Sequence, residues 1–224
     1  MRNIFNIFDN GTVILLCLMF FSVVEAAPIQ KKIAVVNITP DLHHLDVIHK
    51  GKMVRIQREQ NPQHRLTNNF SKTSRICPPF CAQPFQIAPK VDVVGELELL
   101  DFISDKAIRG QGILLDGRLP GWHAQSTIPS AINLPFSIFD NKIEATIIKR
   151  IFLLLGAEPL SKDKWDFSHA KELLVFGNGV WGNQATKTIK NLLALGYPAN
   201  KIYWYRGGLQ DWLLVGLTTI SESR

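Results

Sequence analysis

Cysteine is scarce, with three residues in a chain of 224, so a dense disulfide scaffold is excluded. Charge is also thin. Charged residues make up 20% of the chain against 46% hydrophobic ones, which excludes a disordered or collagen-like chain. No series of long apolar runs exists, so a polytopic membrane protein is excluded as well. The net charge is +6, but its densest parts are only Lys31-Lys32 and Lys50, Lys52, Arg55 and Arg58. No basic run is interleaved with base-stacking aromatics, so the excess reads as a solvated basic surface and no nucleic-acid partner is expected. His43, His44, His49 and His64 lack metal-ligand spacing and read as surface residues; no metal or other cofactor is expected. There is no internal repeat. What remains is enough apolar material for one domain of ordinary size, or one domain with a small appendage, burying about 70% of the surface its unfolded chain exposes.

Residues 12–24 (TVILLCLMFFSVV) form the one long apolar run. As a helix it would rise about 20 Å, short of the roughly 30 Å hydrocarbon core. Val24-Glu25-Ala26 then offers small residues where a signal peptidase reads, although Arg2 is opposed by Asp9. The expectation is a cleaved secretory signal over residues 1–26, with an uncleaved anchor as the alternative. It implies a periplasmic or secreted protein that meets the membrane only transiently. Removing it takes away Cys17 and leaves Cys77 and Cys81, in a compartment where nearby thiols pair.

Residues 27–75 read as a small β-rich segment and linker. Residues 32–38 are β-branched and strand-like. Val47-Ile48 and residues 53–57 flank His49-Lys50-Gly51-Lys52, whose glycine suits a hairpin turn. Residues 59–73 are polar and read as a loop. A junction over residues 76–89 carries Cys77 and Cys81. The body over residues 90–220 alternates helix and strand. Asp92 is expected to cap a helix with Val93, Leu97, Leu100 and Ile103 at helical spacing. Strands are expected at residues 112–116, from Ile132, at 172–176 and at 201–205. Helices are expected at 143–155 and at about 183–195, the second with Ile189, Leu192 and Leu193 inward and Gly196 as terminator. The fold class is therefore α/β, a mostly parallel sheet with helices on both faces plus a small N-terminal β appendage.

The informative stretch follows the strand ending at Phe176. Gly177, Asn178, Gly179, Val180, Trp181, Gly182 and Asn183 form a Gly-rich turn between a buried strand and a helix. Such a turn can aim several N–H groups at one point and serve as an anion cradle. It can equally be a plain turn whose glycines take positive φ.

The body resembles the rhodanese-like (sulfurtransferase) domain family. Leu114-Leu-Asp116-Gly-Arg118 is similar to the family's Asp-x-Arg strand end. Thr127-Ile-Pro-Ser-Ala-Ile-Asn-Leu-Pro135 is similar to its His-Ile-Pro-Gly-Ala-Ile-Asn-Ile-Pro segment. Leu195-Gly196-Tyr197, then residues 202–212 with Arg206-Gly207-Gly208, resemble its closing strand and Gly-Gly-x-x-x-Trp turn. With the loop, four motifs fall in order across residues 90–217. Cys77-Pro-Pro-Phe-Cys81 resembles the junction of an exported bacterial subgroup.

The resemblance implies a cysteine opening the loop, which takes sulfur as a persulfide stabilised by loop amides. In the subgroup it implies cysteines at the positions of Gly177 and Gly182; this chain has glycine at both, and no other loop residue is a nucleophile. Losing a covalent nucleophile costs on the order of 10⁴–10⁶ in rate. Asp116 and Arg118 would brace the loop, with a catalytic role as the other reading. Trp181 would line a pocket mouth or plug the space between loop and helix. Cys77 and Cys81 would form a local disulfide or, less simply, a redox pair. The expected function is a non-catalytic binding or regulatory module for a protein partner or a small anion. The alternatives are a thiol redox or sulfurtransferase protein using Cys77 and Cys81, or weak sulfurtransfer by another route.

Overall fold

The computed structural model describes residues 35–139, 144–161 and 164–222. The expected signal over residues 1–26 and residues 32–34 of the first strand-like stretch lie outside the described residues. All described residues fall in one compact unit beginning at Val35.

The first elements are an antiparallel hairpin, β1 (His44–His49) and β2 (Lys52–Gln57). Its two-residue turn has Lys50 at φ 49° and Gly51 at φ 76°. Positive φ at both centres is what a tight hairpin turn with the right twist requires, and glycine meets it without strain. Residues 35–38 form no strand, contrary to their β-branched composition. Instead Ile38 is buried as a single anchor in a core built by other elements.

The body contains a five-stranded sheet in the order β3 (Asp92–Val94), β9 (Ile202–Tyr205), β8 (Glu172–Phe176), β4 (Gly112–Asp116) and β5 (Ile132–Asn133). Every pairing in it is parallel. Parallel neighbours need crossovers, which here include helices α1 (Glu96–Phe102), α2 (Pro120–Gln125), α3 (Ala145–Leu154) and α4 (Gln184–Ala194), while α5 (Gly208–Leu214) follows the last strand. A small antiparallel pair, β6 (Glu158–Ser161) and β7 (Lys164–Asp166), follows α3.

Side chains alternate across the sheet and so divide two cores. Ile113, Leu115, Leu173, Val175, Ile202 and Trp204 join Ile151 and Phe152 of α3 and Ile189 and Leu192 of α4 on one face. Leu114, Leu174, Phe176 and Tyr205 join Leu99 and Leu100 of α1 and Leu209 and Trp212 of α5 on the other. The β-hairpin completes the second core with Val47 and Ile56, so it is packed into the body. The chain behind it is stitched to the C-terminal segment. Glu59 N–H donates to the Gly216 carbonyl at 2.6 Å and Thr218 N–H to that of Gln57 at 3.1 Å.

Two sequence expectations are corrected here. Asp92 opens strand β3 and caps nothing; α1 starts after Gly95, whose N–H is held by the Glu98 carboxylate at 3.0 Å. A helix beginning at Asp92 would forfeit the pairing of Val93 with Trp204 at the sheet edge. His49 is buried, not a surface residue. Its Nδ1 accepts the Ser130 N–H at 3.1 Å and its Nε2 faces Glu222 at 3.1 Å, which compensates a polar ring at the end of the hairpin.

Candidate functional site

After the half-buried Glu172, strand β8 is a run of buried apolar residues, and it ends where Gly177 begins the loop to α4. Three of the loop's carbonyls bond outward. That of Gly177 accepts Leu209 N–H at 2.9 Å and that of Asn178 accepts Gln210 N–H at 2.9 Å, both from the start of α5. That of Val180 accepts Gln83 N–H at 2.8 Å, from the junction segment. Gly208 makes this docking possible. It has φ +58°, and a Cβ there would stand 2.5 Å from the Gly177 carbonyl oxygen and 2.8 Å from the Gly179 nitrogen. Only a residue without a side chain lets two backbones come so close.

None of Gly177, Gly179 and Gly182 takes a positive φ. Their role is therefore space, not backbone freedom. The space is used by Gln184, the first residue of α4, which is buried. Its side-chain oxygen Oε1 accepts the Asn178 N–H at 3.4 Å. The same oxygen lies 3.1 Å from where a Cβ on Gly177 would stand, and it would overlap a Cβ on Gly182. The interior of the loop thus holds a neutral amide oxygen between the two glycines. Sequence reasoning passed over Gln184 in this role. The signal for it was indirect: two missing side chains in a buried loop leave a gap that close packing fills with the nearest flexible residue.

Trp181 points away from this interior. Its Nε1 donates to Gln210 Oε1 at 2.5 Å, and Gln210 Nε2 donates to the Phe70 carbonyl at 3.0 Å. The Arg75 guanidinium lies 3.6 Å from the Trp181 ring centroid, and the Phe80 ring meets it edge-on at 5.7 Å. Trp181 is thereby fixed as a wall of a cleft of about 890 Å³ between residues 58–75, the loop and α5. Of the two roles open to it, it lines a pocket mouth.

Cys77 and Cys81 stand as a disulfide pair with Cα atoms 4.7 Å apart. Phe80 between them carries the contact to Trp181, so the junction lies against the loop. Gln83 fastens it: its carbonyl accepts Arg206 Nη2 at 2.7 Å and its Oε1 accepts the Thr186 hydroxyl at 3.2 Å.

Asp116 and Arg118 sit behind the loop. Asp116 pairs in register with Phe176, the residue before Gly177. Its carboxylate accepts Arg118 Nε at 2.9 Å, Arg118 Nη2 at 2.6 Å and the Thr127 hydroxyl at 2.9 Å. His123 Nδ1 adds a contact at 3.0 Å, and its other nitrogen faces Glu222 at 3.4 Å. Burial alone would raise the Asp116 pKa, but the hydrogen bonds from His123 and Arg118, with the charge of Arg118, outweigh it and hold the carboxyl below its ordinary value. Neither residue lines the cleft. Among the described residues, no group of three or more His, Cys, Asp or Glu could hold a metal ion, and no helix is long and apolar enough to cross a membrane.

No curated protein matches the chain. Solved structures do. A Bacillus halodurans protein is 22% identical over 58% of this chain and 77% of its own, with a TM-score of 0.41. The human single-domain sulfurtransferase is 21% identical over 55% of this chain and 96% of its own, with a TM-score of 0.38. An Escherichia coli rhodanese with anions is 21% identical over 49% of this chain and 98% of its own, with a TM-score of 0.32. Residues 97–214, which run from α1 through the loop to the end of α5, match the rhodanese-like domain as a family. The chain belongs to the rhodanese-like domain family.

Proposed function

We propose that this is an exported rhodanese-fold protein, of the subgroup with the Cys-Pro-Pro-Phe-Cys junction, that does not carry sulfur in its loop and acts as a binding or regulatory module. The observation that carries this reading is Gln184 Oε1, which occupies the loop interior between Gly177 and Gly182 and accepts the Asn178 N–H. A neutral acceptor there takes the place a persulfide anion would need, and the loop supplies no thiol to bear one. Asp116 and Arg118 act as a brace beneath Phe176, and within residues 177–183 the Asn178 N–H goes to Gln184 and the Gly182 N–H to the Gly179 carbonyl. The expected signal over residues 1–26 sends the protein to the periplasm or outside the cell.

The test is exposure of the purified protein to thiosulfate, followed by intact mass spectrometry and a cyanide assay for thiocyanate. The expected result is no adduct of one sulfur atom and no turnover above a C77S/C81S control. A labile adduct passed on catalytically overturns the reading. The alternative, redox or sulfur chemistry at Cys77 and Cys81, draws support from the exposure of Cys77. A thiol titration after treatment with physiological dithiol reductants separates the two, since a pair that stays oxidised is structural.

A further inference from the structure

The cleft walled by Trp181 is a second feature of the site, distinct from the loop interior, and its lining has a definite chemistry. Its cations, Arg58, Arg65, Lys72 and Arg75, all come from the polar segment after the hairpin, while Glu59 is the only carboxylate among the described lining residues. Arg58 is committed to the backbone carbonyls of Val215 and Ile38. Arg65 and Lys72 form no ion pair among the described residues. Arg75, stacked on Trp181, spends one nitrogen on the Asn69 carbonyl at 2.6 Å and leaves its Nε buried without a partner. The lining also has an apolar part, Leu213, Leu214 and Val215 at the end of α5, with Leu214 64% exposed.

We propose that this cleft binds an extended acidic peptide segment of a protein partner, with carboxylates against Arg65, Lys72 and Arg75 and apolar side chains against Leu214 and Trp181. The inference rests on the binding-module reading above. The charge of the cleft favours an anionic occupant, since three cations of its lining have no ion pair among the described residues. A lining that joins cations to exposed apolar side chains favours a peptide, and an extended one presents acidic and apolar side chains in alternation to both. A small anion would leave the apolar lining residues uncovered. Trp181 is held in place by Gln210, Arg75 and Phe80, so little ordering is needed on binding.

The experiment uses the full secreted chain and a fluorescein-labelled short peptide alternating glutamate and leucine, read by fluorescence anisotropy at low ionic strength. Its controls are the same peptide with glutamine for glutamate, glutarate, inorganic phosphate, and a single-stranded oligonucleotide of equal charge. The acidic peptide is expected to bind at least about tenfold more tightly than its glutamine counterpart, and R65E/K72E is expected to abolish that difference. L214D is expected to weaken the acidic peptide too, by about tenfold, through the apolar part of the lining. All three positions are at the surface, so the variants keep the fold. Equal binding of both peptides, or binding unaffected by R65E/K72E, overturns the proposal. So does glutarate, phosphate or the oligonucleotide binding as tightly as the acidic peptide. A sulfur adduct in the thiosulfate test would instead strike at the non-catalytic reading, so the two failures are distinguishable.

Discussion

The Gln184 side-chain oxygen stands 3.1 Å from the point where a Cβ on Gly177 would be, and the Ala185 nitrogen stands 3.2 Å from it. The position at which the family resemblance expects a sulfur-bearing cysteine is therefore contested by a side chain and by one amide nitrogen of α4. The side chain can swing aside, and the Ala185 nitrogen at 3.2 Å has to give by only a few tenths of an ångström.

It follows that G177C alone should take up sulfane sulfur poorly, while G177C/Q184A should form a persulfide on exposure to thiosulfate. Intact mass spectrometry reads the difference as an added sulfur atom removed by cyanide. If the double variant gains no sulfur, the loop is not an anion cradle.

Asp116 and Arg118 form a buried pair, with Asp116 fully covered and Arg118 nearly so. Removing one partner strands the other, at a cost of about 3–5 kcal/mol. R118A is expected to lose stability on that scale in urea titration, while the exposed-pair variant R109A, which removes the contact of Arg109 to Asp105 at 3.8 Å, should lose less than about 1 kcal/mol.

The same pair sets an acid limit. The folded-state pKa of Asp116 is lowered, so its contribution is fully present above the unfolded value of about 3.9 and is lost as pH falls through the lower folded value. Glu222, lowered first by its bond from Lys50, acts in the same direction. Asp211, pushed up by burial and then by Glu96, acts against it. Stability followed by circular dichroism should fall steeply below about pH 4, and E222Q should make the decline shallower.

Gly208 admits no side chain. G208A would place a methyl against the Gly177 carbonyl and the Gly179 nitrogen at a positive φ. A loss of about 1–3 kcal/mol or more is expected in thermal unfolding. Hydrogen exchange should rise at Leu209 and Gln210, whose N–H groups bond the loop carbonyls.

The disulfide closes a short loop, so C77S/C81S should cost only about 2 kcal/mol in global stability. Its local effect should be larger: Phe80 loses its anchor, and the Trp181 emission should shift as the edge-on contact loosens.

The central strands were legible because residues 113–115 and 173–176 are unbroken apolar runs, as strands buried on both faces tend to be. Asp92 misled because aspartate is a common N-cap and its strand is only three residues long. The burial of His49 was invisible locally, since it depends on Glu222, 173 residues away in sequence. The pair β6 and β7 was missed for a different reason. All four residues of β6 are exposed, so no apolar alternation marks it. The loop was legible as a motif, but the side chain filling it was not. Where Gln184 folds back is decided by the gap at Gly177 and Gly182, a three-dimensional fact with no periodicity.

The stitching of residues 57–59 to residues 216–218 has a practical consequence for anyone shortening this chain in the laboratory. A piece trimmed to the recognisable stretch at 97–214 would discard Val47 and Ile56 from the core that holds Trp212, the edge strand beside Trp204, and the disulfide-bearing clasp over Trp181. Such a fragment would keep the whole stretch that matches the family and still open along one flank.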